Sequence, residues 1–107
     1  MLKIVDICFS DDSKWFACYD ESHSVSLFKY GVDESLEDKT VSWFIIARIQ
    51  SHTLPITSLS FGKCLSDKGV MHHRLFSVGK DMMLIEYDIK NTTRETSLLI
   101  RNKGNVK

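Results

Sequence analysis

The sequence predicts an all-β fold, and three observations lead to this prediction. Valine, isoleucine, phenylalanine, tyrosine, tryptophan and threonine are concentrated in short runs of the kind that form strands. Polar or glycine-containing turns separate these runs. Apolar residues do not recur over a long segment at the spacing of an amphipathic helix. We therefore expect strands joined mostly by short connections.

Eight strands are predicted in order along the chain. Each is a run of apolar or β-branched residues bounded by turn-forming residues. The connections Ser10–Lys14 and Gly79–Met82 are short enough to join antiparallel neighbours. The predicted strands are Lys3–Ser10, Trp15–Tyr19, Ser24–Tyr30, Val41–Gln50, Ile56–Gly62, Leu75–Val78, Met83–Ile89 and Ser97–Ile100.

The predicted strands belong to two copies of one unit. The segment IVDICFS at Ile4–Ser10 aligns with ITSLSFG at Ile56–Gly62, 52 positions later. The segment FACYDESHSVSLFK at Phe16–Lys29 aligns with LFSVGKDMMLIEYD at Leu75–Asp88, 59 positions later. Self-similarity at a fixed spacing is the signature of a repeat architecture, so each copy is predicted to be a four-stranded antiparallel meander.

A repeat of about 50 residues with four short strands is typical of a blade in a β-propeller. Residues 1–50 are predicted to form the first blade and residues 51–107 the second. Two blades make an incomplete ring, because propellers have about four to eight blades. We expect the remaining blades of a larger propeller, or a neighbouring chain, to cover the open faces.

The composition argues against several classes of function. Fourteen basic and fourteen acidic residues give a net charge of zero, so no global field favours nucleic acid or an anionic membrane. No apolar run approaches the roughly 18 residues that span a bilayer. The cysteines Cys8, Cys18 and Cys64 lack metal-binding spacing and are typical of reduced thiols in the cytoplasm. We expect no cofactor, no nucleic-acid partner and no membrane contact.

Four polar residues of the second unit are predicted to meet at one edge of its sheet. His52 precedes the first strand, Ser77 lies on the second, Asp81 lies in the hairpin turn, and Tyr87 lies on the third strand. An imidazole can donate to a carboxylate and accept from a hydroxyl, so a connected network can form. We expect this network to attach the loop that enters the unit to its central hairpin.

These positions resemble the WD-repeat family. Its blades carry Gly-His before the first strand, Ser or Thr in the second, Asp in the turn, and Trp-Asp at the end of the third. A serine replaces the family's glycine here, and a tyrosine replaces its tryptophan. The corresponding residues are Ser51-His52, Ser77, Asp81 and Tyr87-Asp88.

The first unit departs further from the WD-repeat pattern. Cys18, Ser22 and Phe28 stand at the positions of the serine, aspartate and tryptophan. We therefore expect the first blade to be held by packing alone.

Three segments resemble the family of cilia- and flagella-associated protein 251 more narrowly. They are FSDDSKWFACYDESHSVSLFKY, WFIIARIQSHTLPITSLSFG and RLFSVGKDMMLIEYDI. This family is the WD-repeat subunit of the calmodulin- and spoke-associated complex. The resemblance implies a long protein with many blades, located at the base of a radial spoke on the axoneme of a cilium or flagellum. It implies a non-catalytic scaffold whose partners are other protein subunits.

Three alternatives stand beside the scaffold interpretation. One is a WD-repeat module that recognises a short peptide in another intracellular complex. A second is a serine hydrolase, because Ser77, His52 and Asp81 are the residue types of a catalytic triad, but Ser77 lacks the GxSxG frame of a nucleophile elbow. The third is a self-contained small β domain. We expect a structural role for these residues and no enzymatic activity.

Adjacent histidines at His72 and His73 raise the question of a metal site. Together with Cys64 or Asp67 they are residue types that bind metal ions. Adjacent histidines on a polar loop are more often solvated, so no metal site is predicted.

Two long connections, Gly31–Thr40 and Lys63–Arg74, leave the same end of the two meanders. The first is acidic and the second is mostly basic. Binding residues often lie on long loops of a rigid scaffold, so we expect this rim to dock another protein. Its candidate residues are Asp33, Glu34, Glu37, Asp38, Lys63, Lys68 and Arg74.

Overall fold

A computed structural model describes residues 3–65, 68–93 and 96–106. Within these residues eight strands form two four-stranded antiparallel sheets, and there is no helix, hence none able to cross a membrane. Sheet 1 contains β1 (Ile4–Phe9), β2 (Trp15–Asp20), β3 (Ser24–Val32) and β4 (Val41–Gln50). Sheet 2 contains β5 (Ile56–Leu65), β6 (Met71–Gly79), β7 (Met83–Tyr87) and β8 (Ile100–Asn105).

The predicted all-β fold with two antiparallel sheets is confirmed, and each strand pairs with the next one along the chain. The last strand is the main error, since Ser97–Ile100 was predicted and only Ile100 belongs to β8. The apolar residue Leu98 is fully buried, and its backbone N–H donates to the Arg48 carbonyl of sheet 1 at 3.3 Å. The apolar pattern there reflects burial outside a strand, while β8 itself is polar and exposed at the sheet edge.

The connection predicted over Lys63–Arg74 is also different in the structure. Strand β5 continues to Leu65 and β6 begins at Met71, so most of the segment extends a hairpin. His72 pairs with Cys64 in that hairpin. Side chains of this segment alternate between the two faces of a two-stranded ribbon. Because the segment is mostly polar, the sequence did not indicate that the strands extend into it.

The two units repeat each other in register as well as in sequence. Cys18 pairs with Ser26 in sheet 1, and the aligned Ser77 pairs with Ile85 in sheet 2. Both central hairpins have a three-residue connection, which is a common hairpin loop. At equivalent positions, His23 and Met82 adopt positive φ angles of 68° and 62°.

The core lies between the sheets, and the sheets use opposite faces to form it. Sheet 1 buries its Ala17 face, whereas sheet 2 buries the face of Leu75 and Tyr87. The residues aligned with Leu75 and Tyr87 are Phe16 and Phe28, on the outer face of sheet 1. Successive units therefore stack face to back. The buried core consists of Ala17, Tyr19, Val25, Leu27, Ala47, Ile56, Leu75, Ile85, Tyr87 and Leu98.

Candidate functional site

The linker between the sheets and the β6–β7 turn meet at a buried histidine. The His52 side chain is fully buried, and its Nδ1 lies 2.9 and 3.0 Å from the two carboxylate oxygens of Asp81. Its Nε2 lies 2.7 Å from the Ser77 hydroxyl. The linker backbone adds a second bond, because the Thr53 N–H donates to Asp81 at 3.0 Å. The structure thus brings together His52, Ser77 and Asp81.

The network continues through two further hydroxyl groups. The Tyr87 hydroxyl lies 2.7 Å from Ser77 Oγ and 2.6 Å from Ser51 Oγ. A carboxylate only accepts, so His52 donates from Nδ1, and in that tautomer its Nε2 can accept the Ser77 proton. Tyr87 can then donate to Ser77, and Ser51 to Tyr87. The hydrogen bonds then run in one direction, from Ser51 through Tyr87, Ser77 and His52 to Asp81, so each of these buried polar side chains has a partner.

Ser51 was missed as a member of this network. From the sequence alone, Ser51 was interpreted only as standing where the WD-repeat pattern has a glycine. In the structure its hydroxyl lies 2.6 Å from the Tyr87 hydroxyl, which can both donate and accept, so the two positions are joined by a hydrogen bond. The signal available in the sequence was that both positions, Ser51 and Tyr87, differ from the WD-repeat pattern that the chain resembles.

Burial and hydrogen bonds act in opposite directions on the Asp81 carboxyl. Burial is the largest single influence and favours its neutral form, but the bonds from His52, from the Thr53 N–H and from the Met83 N–H together outweigh burial and hold the pKa of Asp81 below its usual value. The pKa of the Tyr87 hydroxyl is raised, chiefly because its burial disfavours the phenolate. Asp81 is therefore the charged member of the network and Tyr87 a neutral one.

Gly79, the last residue of β6, leaves the space that this pair occupies. A Cβ built on Gly79 would lie 2.6 Å from His52 Nδ1 and 2.8 Å from Asp81 Oδ1. Both distances are shorter than real Cβ contacts, so any side chain at this position displaces the imidazole or the carboxylate. The glycine is required here for space and not for its backbone angles.

The first unit also has a polar cluster, which corrects the expectation that packing alone holds it. The Asp20 carboxylate accepts bonds from the Ser22 N–H at 2.9 Å and from the Ser22 hydroxyl at 2.5 Å. Arg48 of β4 donates through Nη2 to Asp20 at 3.1 Å and to Ser22 at 2.9 Å. Burial raises the pKa of Asp20, but these bonds outweigh burial and keep it below its ordinary value.

The geometry of Ser77, His52 and Asp81 is that of a Ser-His-Asp relay. Ser77 is fully buried in the core between the sheets, however, and its oxygen is also within hydrogen-bond distance of the Tyr87 hydroxyl. A nucleophile needs an exposed hydroxyl beside donors for the developing oxyanion. The arrangement is suited to bracing the fold.

The predicted rim residues do not all lie where a free loop would put them. Asp33 is 5% exposed and accepts bonds from the Ser35 N–H and hydroxyl at 3.0 and 2.6 Å. Arg74 lies on strand β6 and makes a two-pronged ion pair with the buried Glu86 at 2.8 and 2.9 Å. Those two are structural residues of their own units. The exposed rim residues are Glu34, Glu37, Asp38, Lys63 and Lys68.

Two side-chain pairs join the β1–β2 turn to the extended β5–β6 hairpin. Lys63 forms an ion pair with Asp11, and His73 Nε2 lies 3.0 Å from Asp12 Oδ2. The Ser10 hydroxyl, the Lys14 N–H and His73 together lower the pKa of Asp12 to about 2. His73 is thus paired across the sheets on a strand, and not on a solvated loop as expected. Asp67, the other proposed ligand, lies outside the described residues.

The fold and site define a class: repeated four-stranded antiparallel sheets stacked face to back, with a buried polar brace between linker and hairpin. No protein-family model matches the sequence. Curated relatives named Cilia- and flagella-associated protein 251 do match it. The chain is 33% identical over 84 residues to the one from Tetrahymena thermophila, which covers 76% of this chain and 8% of the relative.

Two further relatives give a similar result. The Mus musculus protein is 34% identical over 88 residues, covering 82% of this chain and 6% of the relative. The Chlamydomonas reinhardtii protein is 36% identical over 87 residues, covering 80% of this chain and 10% of the relative. The chain therefore spans a tenth or less of the length of these relatives. The similarity concerns one short region of much longer proteins.

Proposed function

We propose that this chain is part of a WD-type β-propeller that serves as a non-catalytic scaffold for protein assembly in a cilium or flagellum. The observation that carries the proposal is the similarity, over most of this chain, to proteins named for cilia and flagella in a ciliate, an alga and a mammal. Within that setting the scaffold belongs to the complex at the base of an axonemal radial spoke.

The stacking of the two sheets supports the propeller part of the proposal. A contact between opposite faces of equivalent units leaves one free face of each kind, and repetition of such a contact closes a ring when the rotation allows it. Strand β1 of sheet 1 lies beside β5 of sheet 2, so the first strands of the two units are neighbours. This is the arrangement of strands around a propeller axis.

The non-catalytic part is supported by the use of the polar residues inside the fold. Each polar atom of His52, Ser77 and Tyr87 has a partner within the network. A serine whose oxygen is enclosed on every side by its own chain has no room for a substrate carbonyl. The scaffold would act through its surface, and the exposed acidic residues Glu34, Glu37 and Asp38 offer a charged docking rim.

A segment exchange tests the ciliary role. In Chlamydomonas reinhardtii, this chain would replace the 87 aligned residues of the relative, and the tagged chimera would be measured in isolated axonemes. We expect the chimera to be retained at a level near that of the original protein, while deletion of the segment abolishes retention. A stable, full-length chimera that is absent from axonemes would contradict the proposal.

A charge reversal in the same chimera tests the rim. Glu34→Lys, Glu37→Lys and Asp38→Lys together should reduce axonemal retention, because like charges would then face the partner that the acidic rim fits. Asp33 is left unchanged because it is buried within the loop. The control is Glu21→Lys, an exposed acidic residue in the β2–β3 turn at the opposite end of sheet 1. Equal retention of both variants would remove the rim from the proposal.

A further inference from the structure

The core between the two sheets opens at the end that carries the β1–β2 turn and the β5–β6 hairpin. Alternate residues of β6 share the inner face of Leu75. Along this face Leu75 is fully buried, His73 is partly buried and Met71 is 51% exposed. On the facing side, Ala17 of sheet 1 is fully buried, whereas Trp15 is only partly buried. The sheets therefore diverge toward this end and leave their inner faces accessible there.

The opening is a cleft between the sheets, here called the inter-sheet cleft. Its volume is about 390 Å³, and ligand pockets span about 300–1,000 Å³. Its floor is apolar, because Trp15 and Ile46 of sheet 1 and Ile89 beyond β7 pack against the core and also line the cleft. Both walls belong to this chain, and the cleft lies on the inner faces and not on the outer faces that further sheets of a propeller would cover.

The charged groups that line the cleft are basic. Lys29 comes from sheet 1 and Lys90 follows strand β7 of sheet 2, and both are exposed. The Lys29 ammonium lies 5.2 Å from the centre of the Trp15 ring. Within the residues that the structure describes, neither lysine forms an ion pair, and no residue that lines the cleft is acidic. An anion in the cleft would therefore meet two cations.

The carboxylates of the neighbouring β1–β2 turn are already bound. Asp12 accepts from the Ser10 hydroxyl at 2.6 Å, and its second oxygen lies 3.0 Å from Nε2 of His73. Asp11 pairs with Lys63. These contacts hold the turn against the β5–β6 hairpin beside the cleft, and they leave the two lysines of the cleft for a ligand.

We propose that the inter-sheet cleft binds an acidic segment of another protein, with an apolar side chain of the segment on the floor and its carboxylates beside Lys29 and Lys90. Charge complementarity favours an acidic partner. A nucleic acid is a poorer fit, because binding of a single strand needs a basic groove that follows many phosphates. The inference rests on the scaffold role of the proposed function, to which it adds a basic docking site, and not on the location in a cilium.

Fluorescence anisotropy of labelled probes tests the proposal. The probes are the peptides EEEEFEEEE and EEEEGEEEE and an oligonucleotide of thymidines. We expect the first peptide to bind and its affinity to fall as salt is raised, because exposed charges are screened. The second should bind at least about tenfold more weakly, because no apolar side chain then covers the floor. Both the purified chain and the purified chimera of the segment exchange are titrated, since the chimera includes the flanking parts of the relative.

A matched pair of charge reversals locates the binding site. Lys29→Glu with Lys90→Glu should weaken binding of EEEEFEEEE about tenfold or more, because like charges then face each other. Lys3→Glu with Lys80→Glu makes the same change in net charge at exposed residues of the opposite end, and should bind like the wild type. Met71→Asp is a second variant of the cleft and should also weaken binding. Circular dichroism compares the fold of all variants.

Four results would each overturn the proposal: no binding of EEEEFEEEE by either the chain or the chimera, equal binding of EEEEGEEEE, equal weakening by the two double reversals, or equally tight binding of the oligonucleotide. Axonemal retention is a separate measurement. A chimera that is retained but binds no peptide removes the acidic ligand and leaves the proposed function, and a chimera that binds the peptide but is not retained does the reverse.

Discussion

The two central hairpins have the same backbone and different chemistry. Each has a three-residue connection whose last residue has a positive φ angle, and in each the N–H of that residue donates back across the turn at 3.1 Å. In the first hairpin the carboxylate is on Asp20, at the end of β2. In the second it is on Asp81, within the turn, and the position equivalent to Asp20 is Gly79.

The difference follows from what each carboxylate binds. Asp20 is satisfied by its own turn and by Arg48, whose side chain is 42% exposed, so this cluster stays within sheet 1 at the surface. Asp81 binds His52 and the Thr53 N–H from the linker, which requires room beside the strand end. The glycine supplies that room. One carboxylate therefore fixes a local turn, and the other fixes the connection between two sheets.

Removal of the His52 ring is expected to have the largest effect on stability and to distinguish the two carboxylates most clearly. His52→Ala leaves the Asp81 carboxylate without its imidazole and the Ser77 hydroxyl without an acceptor in a buried site, so we expect a loss of about 2–4 kcal/mol in the free energy of unfolding. The matched change in sheet 1, Arg48→Ala, removes a half-exposed pair and should cost at most about 1 kcal/mol. Urea unfolding followed by circular dichroism measures both. Equal losses in unfolding free energy would mean that the two carboxylates contribute equally to the stability of the fold.

A methyl group at Gly79 tests the need for space. Gly79→Ala forces the imidazole or the carboxylate aside, and we expect a loss of about 1–3 kcal/mol in unfolding free energy. The control is Gly31→Ala in β3, where an added Cβ meets no atom within 4 Å and the change should be neutral or stabilising by up to about 1 kcal/mol. A Gly79→Ala variant as stable as Gly31→Ala would show that the network tolerates a shift.

The pH dependence of stability gives the smallest expected effect. The pKa of Asp81 in the folded chain lies below its ordinary value of 3.8, so the carboxylate contributes stability above pH 3.8 that is lost as the pH falls toward the folded value. We expect thermal unfolding scans to show stability decreasing below about pH 4. Asp81→Asn should reduce that slope by less than about 1.4 kcal/mol per pH unit, the limit for one group. An unchanged slope would mean that another group carries the acid dependence.

The sequence predicted much of this site because the order of the strands in a meander brings its residues together. The predicted meander of the second unit put His52, Ser77, Asp81 and Tyr87 at one sheet edge, where their side chains can bond to one another. Asp20 and Arg48 were missed because their partnership joins β2 to β4, and nothing in the sequence spacing marks a pair across two intervening turns. Likewise, Asp33 was placed on a free loop because burial depends on how the loop folds back.

The sequence by itself determined the all-β class, the strand count and the positions of the short hairpin turns, because these follow from side-chain alternation and turn chemistry between near neighbours. Only the tertiary structure decided which face of each sheet is buried. The two units have the same strand register but bury opposite faces. Each sheet packs against the other, and sheet 2 lies against one face of sheet 1 whereas sheet 1 lies against the opposite face of sheet 2. That choice is made by contacts between residues far apart in the chain, and a pattern read along the chain does not contain it.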